Sequence, residues 1–85
     1  MIQFKYKIKD PAGIHPRPAG LLINESRKYS SQFTVSLGDK SCDMQKLLAL
    51  VGLGAQCGDV ISVAVSGEDE KVASEEMKKY IKEML

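Results

Sequence analysis

The sequence predicts an α+β fold: a four-stranded, mainly antiparallel sheet with three helices on one face, in the order βαββαβα. Three observations predict it. The strand segments alternate apolar and polar residues, so each strand has one covered face. Other segments repeat apolar residues every three or four positions, the spacing of an amphipathic helix. The chain has 85 residues, room for one domain and one core.

Each element follows from its residues. Ile2, Phe4, Tyr6 and Ile8 alternate with Gln3, Lys5, Lys7 and Lys9, a first strand with a solvated lysine row. Asp10-Pro11-Ala12-Gly13 breaks it, because Pro fixes φ and Gly permits a positive one. From Pro16 to about Lys28, the residues Ala19, Leu22, Ile23 and Ser26 fall on one helical face. Pro16 suits the first helical position, and Arg27 and Lys28 suit the negative end of the helix dipole. Phe33, Val35 and Leu37 alternate as a second strand. Gly38-Asp39 turns it into a returning strand from Ser41 to Met44, with Cys42 and Met44 inward. Leu47, Leu48, Leu50, Val51 and Leu53 make a short helix stopped by Gly52 and Gly54. Gln56-Cys57-Gly58-Asp59 is a turn. Val60 to Ser66 is the last strand, with Ile61, Val63 and Val65 on one face. The final helix carries a stripe of Val72, Ala73, Met77, Tyr80, Ile81 and Met84, with Glu75 and Lys79 as an outer ion pair.

Composition narrows the function. Twelve basic and eleven acidic residues give a net charge of +1, no electrostatic basis for a nucleic-acid partner or direct membrane binding. Phe4, Tyr6 and Phe33 occupy apolar faces, which argues against a sheet that stacks RNA bases. No apolar run approaches the roughly 18 residues of a membrane span, and the alternating start lacks a signal peptide's apolar stretch. Cys42 and Cys57 are too few for a disulfide framework. With a single histidine they give no zinc ligand set, so no metal and no cofactor are expected. The expectation is a monomeric cytoplasmic domain with reduced thiols.

The chemistry concentrates at Ala12-Gly13-Ile14-His15-Pro16-Arg17-Pro18-Ala19. If Pro16 opens the helix, His15 is its N-cap. A helix N-terminus attracts anions through its field and its unpaired N–H groups. The same field favours the uncharged, nucleophilic ring. Arg17 can bring a guanidinium to a phosphoryl group. Together they suit a histidine that accepts and returns phosphate. A lone histidine at a helix cap is more often a plain surface residue; the flanking prolines, which stiffen the backbone, shift the balance.

Gly13-Ile14-His15-Pro16-Arg17-Pro18-Ala19, the element order and the length resemble HPr, the histidine-containing phosphocarrier family of the bacterial phosphoenolpyruvate:sugar phosphotransferase system. Leu53-Gly54 with Gly58, and Ser66 to Glu70, resemble later stretches of that family. The resemblance implies that His15 takes phosphate on Nδ1 from phosphorylated enzyme I and passes it to the IIA domain of a sugar-specific enzyme II. It makes Arg17 the partner of the phosphoryl group and the protein a carrier rather than an enzyme. It also places Gly20, Asn24 and Arg27 of the first helix, with Leu47, Leu48 and Val51, around the histidine as a docking surface. Part of that leucine cluster should be exposed, because the second helix is too short and too apolar to bury all of it; Leu50 and Leu53 belong to the core.

The chain departs from the family at three places. Lys46 stands where many HPr proteins of Gram-positive bacteria carry a regulatory serine, and lysine cannot take phosphate from HPr kinase. Ser41, the nearest hydroxyl, lies on the strand side. A regulatory paralogue that acts by docking is the alternative function. Pro16 replaces a residue with a backbone N–H, so among the first four helical positions only Arg17 and Ala19 can donate. Gly20 and Asn24 are neutral where the family often has a basic residue.

Overall fold

The alternating segments form one sheet in the computed structural model, which describes residues 1–85. The elements are β1 (Ile2–Lys7), α1 (Pro16–Ser26), β2 (Gln32–Leu37), β3 (Lys40–Asp43), α2 (Leu47–Gly52), β4 (Val60–Ser66) and α3 (Glu70–Met84). The order in the sheet is β1-β4-β2-β3, and every neighbouring pair is antiparallel. Phe4 and Val35 both pair with Val63, and Phe33 pairs with Val65. This register puts the inward residues of three strands on one face. Ile61, Val63, Val65, Phe33 and Val35 are buried there beneath Ala19 and Leu22 of α1, Leu50 of α2, and Ala73, Met77 and Ile81 of α3. The result is the open-faced α+β sandwich that the alternation implied.

Ile8 lies just past the end of β1 yet is buried. Its N–H donates to the Asp59 carbonyl at 2.9 Å, and its carbonyl accepts from Gly58 N–H at 2.8 Å. These bonds carry the chain from the sheet edge into the turn before α1. Met44, likewise one residue past β3, donates to the Phe33 carbonyl at 2.9 Å and is buried.

Three expectations are corrected. Helix α1 stops at Ser26 rather than near Lys28. The Ser26 hydroxyl donates to the Ile23 carbonyl at 2.7 Å, and Lys28 and Tyr29 donate to residues three back, so the last turn tightens out of α geometry. Lys28 is therefore not a dipole partner inside the helix; it pairs with Glu25 at 3.0 Å. Val72 is 56% exposed and leaves the core stripe. Ala73, Ser74, Met77 and Ile81 face inward, and Val72 sits about 100° around the helix from Ala73. On the outer face Lys79 reaches Glu76 at 3.9 Å rather than Glu75; positions three and four apart are equally near neighbours, and both side chains are free to choose.

Candidate functional site

The link from β1 to α1 is held by short-range bonds. Asp10 Oδ1 accepts from the Ala12 N–H at 2.8 Å, and the Asp10 carbonyl accepts from the Gly13 N–H at 2.9 Å. Gly13 has φ +67°, and a Cβ there would overlap the Ala55 carbonyl oxygen. Only glycine satisfies both the left-handed backbone and the close approach. Next to it, the Ile14 N–H donates to that same Ala55 oxygen at 3.0 Å, and the Ile14 side chain is buried. The chain therefore reaches His15 with its position fixed from both sides.

His15 is the N-cap, with φ −114° and ψ 171°, and Pro16 is the first helical residue. A residue that precedes proline is pushed into extended backbone, which is also what an N-cap needs. The His15 side chain makes no capping bond and is 37% exposed. The ring is thus free for a partner, and it is not sealed in the core. Its Nε2 lies 3.7 Å from Asp10 Oδ2. Arg17 is exposed and holds no ion pair. Asp10, His15, Arg17, Leu21 and, from α3, Glu83 line one open cleft.

The count of free backbone donors is smaller than the sequence implied. The Ala19 N–H donates to the His15 carbonyl at 3.1 Å as the first helical bond. Pro16 and Pro18 have no N–H, so Arg17 alone offers an unspent amide in the first turn.

A second groove runs along α1 toward α2. Arg17, Gly20, Asn24 and Arg27 line it together with Leu47. Four of the six residues expected at a docking surface are thus brought together, and Arg17 lines both this groove and the histidine cleft. Leu48, 88% exposed, and Leu47, 42% exposed, form the apolar crest of α2. Val51 instead packs partly against the core, while Leu50 and Leu53 are buried. Lys46 is the N-cap of α2 and is exposed. Ser41 lies on β3, away from that cap.

Two residues that sequence reasoning passed over belong to the site. In the sequence Asp10 is marked only as part of a turn, although an aspartate two residues before an available N–H is a recognisable side-chain turn. Gln45 lines the groove, and its Nε2 donates to Ser26 Oγ at 3.2 Å, which ties the end of α1 to the start of α2. No local signal marks that bond, because its partners are nineteen residues apart. The two thiols take no part: Cys42 is half-buried, with its pKa raised by burial and by Asp43, and Cys57 sits exposed in its turn.

The fold and this cleft define a class: small open-faced sandwiches that present a histidine at the mouth of their first helix. Residues 2–83 match the family model described as "PTS HPr component phosphorylation site", and the chain belongs to the HPr family. It is 37% identical over 81 residues to the phosphocarrier protein HPr of Buchnera aphidicola subsp. Baizongia pistaciae, covering 95% of each chain. It is 26% identical to the HPr-like protein Crh of Bacillus subtilis, covering 98% of each. Among solved structures, an HPr from Thermoanaerobacter tengcongensis superposes with a TM-score of 0.91 at 28% identity, covering 99% of this chain and 94% of that one. Proteins of this family are phosphocarriers of the phosphotransferase system, and no helix here is long and apolar enough to cross a membrane.

Proposed function

We propose that residues 1–85 act as a cytoplasmic carrier domain that takes a phosphoryl group on His15 Nδ1 from phosphorylated enzyme I and delivers it to the IIA domain of an enzyme II. The observation that carries this reading is the His15 ring itself: it is partly exposed, spends no nitrogen on capping, and shares a cleft with Arg17. In the first transfer the Nδ1 lone pair attacks phosphorus. The N–P bond forms as the bond from phosphorus to the donor breaks, and that electron pair leaves with the donor. The Arg17 guanidinium and N–H meet the phosphoryl oxygens, charge-assisted contacts that strengthen as negative charge builds. Delivery is the reverse, with the electron pair returning to Nδ1. The chain supplies one nucleophile and its stabiliser, and the partners supply the remaining chemistry. Arg17, Gly20, Asn24 and Arg27 with Leu47, Leu48 and the edge of Val51 make the surface they meet, and a monomer presents all of it.

The test is incubation with phosphoenolpyruvate and enzyme I. The expected product is an acid-labile, base-stable phosphate on His15, absent from His15→Ala. A parallel incubation with HPr kinase and ATP leaves the protein unlabelled, because Lys46 offers no hydroxyl. Failure of enzyme I to label a folded protein would refute the carrier reading and favour a docking paralogue, the role that likeness to Crh leaves open.

A further inference from the structure

The geometry points to Asp10 as the positioning residue that holds the His15 proton on Nε2 and so keeps the Nδ1 lone pair free. This inference rests on the phosphocarrier reading of His15 and adds the device that selects its nucleophilic nitrogen.

Asp10 is fixed at three of its four polar backbone and side-chain atoms. Its N–H donates to the Leu85 carbonyl at 2.7 Å, and its carbonyl accepts from the Gly13 N–H at 2.9 Å. Oδ1 accepts from the Ala12 N–H at 2.8 Å. Oδ2 is the one atom left over, and it lies 3.7 Å from His15 Nε2. The Asx turn aims it there, and Pro11 and Pro16 stiffen the backbone on either side. The gap is just beyond a direct hydrogen bond and within ion-pair reach, so a small rotation of either side chain closes it.

An ionised carboxylate only accepts hydrogen bonds, and a neutral imidazole has one N–H and one lone pair. A carboxylate beside Nε2 therefore favours the tautomer with the proton on Nε2. The lone pair then stands on Nδ1. When Nδ1 bonds to phosphorus the ring gains positive charge, and Asp10 faces the nitrogen that still holds the proton. When the N–P bond breaks, its electron pair returns to Nδ1 and the starting tautomer is restored. No proton has to move in either direction. The other charged groups of the cleft are Arg17 on α1 and Glu83 on α3. Glu83 is a second carboxylate and provides the internal control.

Asp10→Asn separates these roles. The amide oxygen keeps the bond to the Ala12 N–H and places an NH2 donor where Oδ2 was. A donor at that point calls for a lone pair on Nε2 and drives the proton to Nδ1. The His15 ring 15N shifts, read at alkaline pH on the unphosphorylated protein, give the tautomer without any partner. The expected result is predominant Nε2–H in the native protein and a marked rise of Nδ1–H in Asp10→Asn. Phosphorylation by enzyme I should slow roughly tenfold, the scale on which partners that fix an imidazole tautomer act. Glu83→Gln, which removes the other carboxylate of the cleft, should leave the tautomer unchanged. Asp10→Ser, which keeps a side-chain turn without a carboxylate, serves if the asparagine variant does not fold, and should give a mixed tautomer population. An unchanged tautomer in either folded variant would overturn the inference, whereas absence of His15 labelling in the native protein would overturn the carrier reading alone.

Discussion

Pro16 and Pro18 remove two of the amide protons that a helix start normally turns toward an anion, and the His15 carbonyl takes a third from Ala19. The Arg17 N–H remains, and with it the Arg17 guanidinium. In the carrier reading, one residue would thus carry most of the burden that a helix start usually spreads over several backbone groups. Arg17→Ala leaves the N–H and removes the charge. A hydrogen bond to a charged group contributes about 1.5–3 kcal/mol, so phosphoryl transfer from enzyme I should slow roughly tenfold to a hundredfold. The loss should exceed that of the same substitution in a relative with alanine at position 16, measured by rapid-quench transfer under matched conditions. Equal losses would show that the prolines do not matter.

At the scale of an element, α2 shows how a short helix divides its leucines. Six residues are too few for helical propensity to hold by itself. Leu50 anchors the helix from below, buried completely, while Leu48 is 88% exposed. The two should therefore fail in different assays. Leu50→Ala should cost about 2–5 kcal/mol of stability in urea unfolding. Leu48→Ala should move stability by less than about 0.5 kcal/mol, yet weaken enzyme I binding by at least about 1 kcal/mol, the threshold for a residue that matters in an interface. A titration calorimeter reads the second effect, and unchanged affinity would remove Leu48 from the docking surface.

For the whole molecule, Asp69 is the fastening between halves distant in sequence. Its Oδ2 accepts from the Ser30 N–H at 2.9 Å, and its Oδ1 accepts from the Ser31 hydroxyl. These bonds clamp the chain just before β2 to the N-cap of α3. A Cβ on Gly67 would come within 2.6 Å of Ser31 Cα, so the two segments meet almost backbone to backbone. The Ser31 hydroxyl, then the Ser30 N–H, hold the Asp69 carboxyl below the ordinary aspartate range. Because the folded value is lower than the unfolded one, the carboxylate stabilises the fold above the ordinary range. That contribution fades as pH falls through the folded value. Asp69→Asn should therefore flatten the acid limb of a plot of unfolding midpoint against pH and lower the plateau near neutrality. An acid limb identical to that of the native protein would locate acid sensitivity elsewhere.

The sequence by itself determined the alternation of Ile61, Val63 and Val65, the helix opening at Pro16 and the capping place of His15. Each of these depends on neighbours a few residues away: pleat period, proline's fixed φ, and the extended backbone proline imposes on the residue before it. Arg17 beside His15 was legible for the same reason. Tertiary structure decided the strand order β1-β4-β2-β3, the clamp at Asp69, the bond from Gln45 to Ser26, and the exposure of Val72. It also turned Asp10 toward the ring, through a turn held partly by the Leu85 carbonyl at the far end of the chain. These depend on which distant segments share the core and on which polar groups are left without a nearer partner, and no window of local residues encodes that competition.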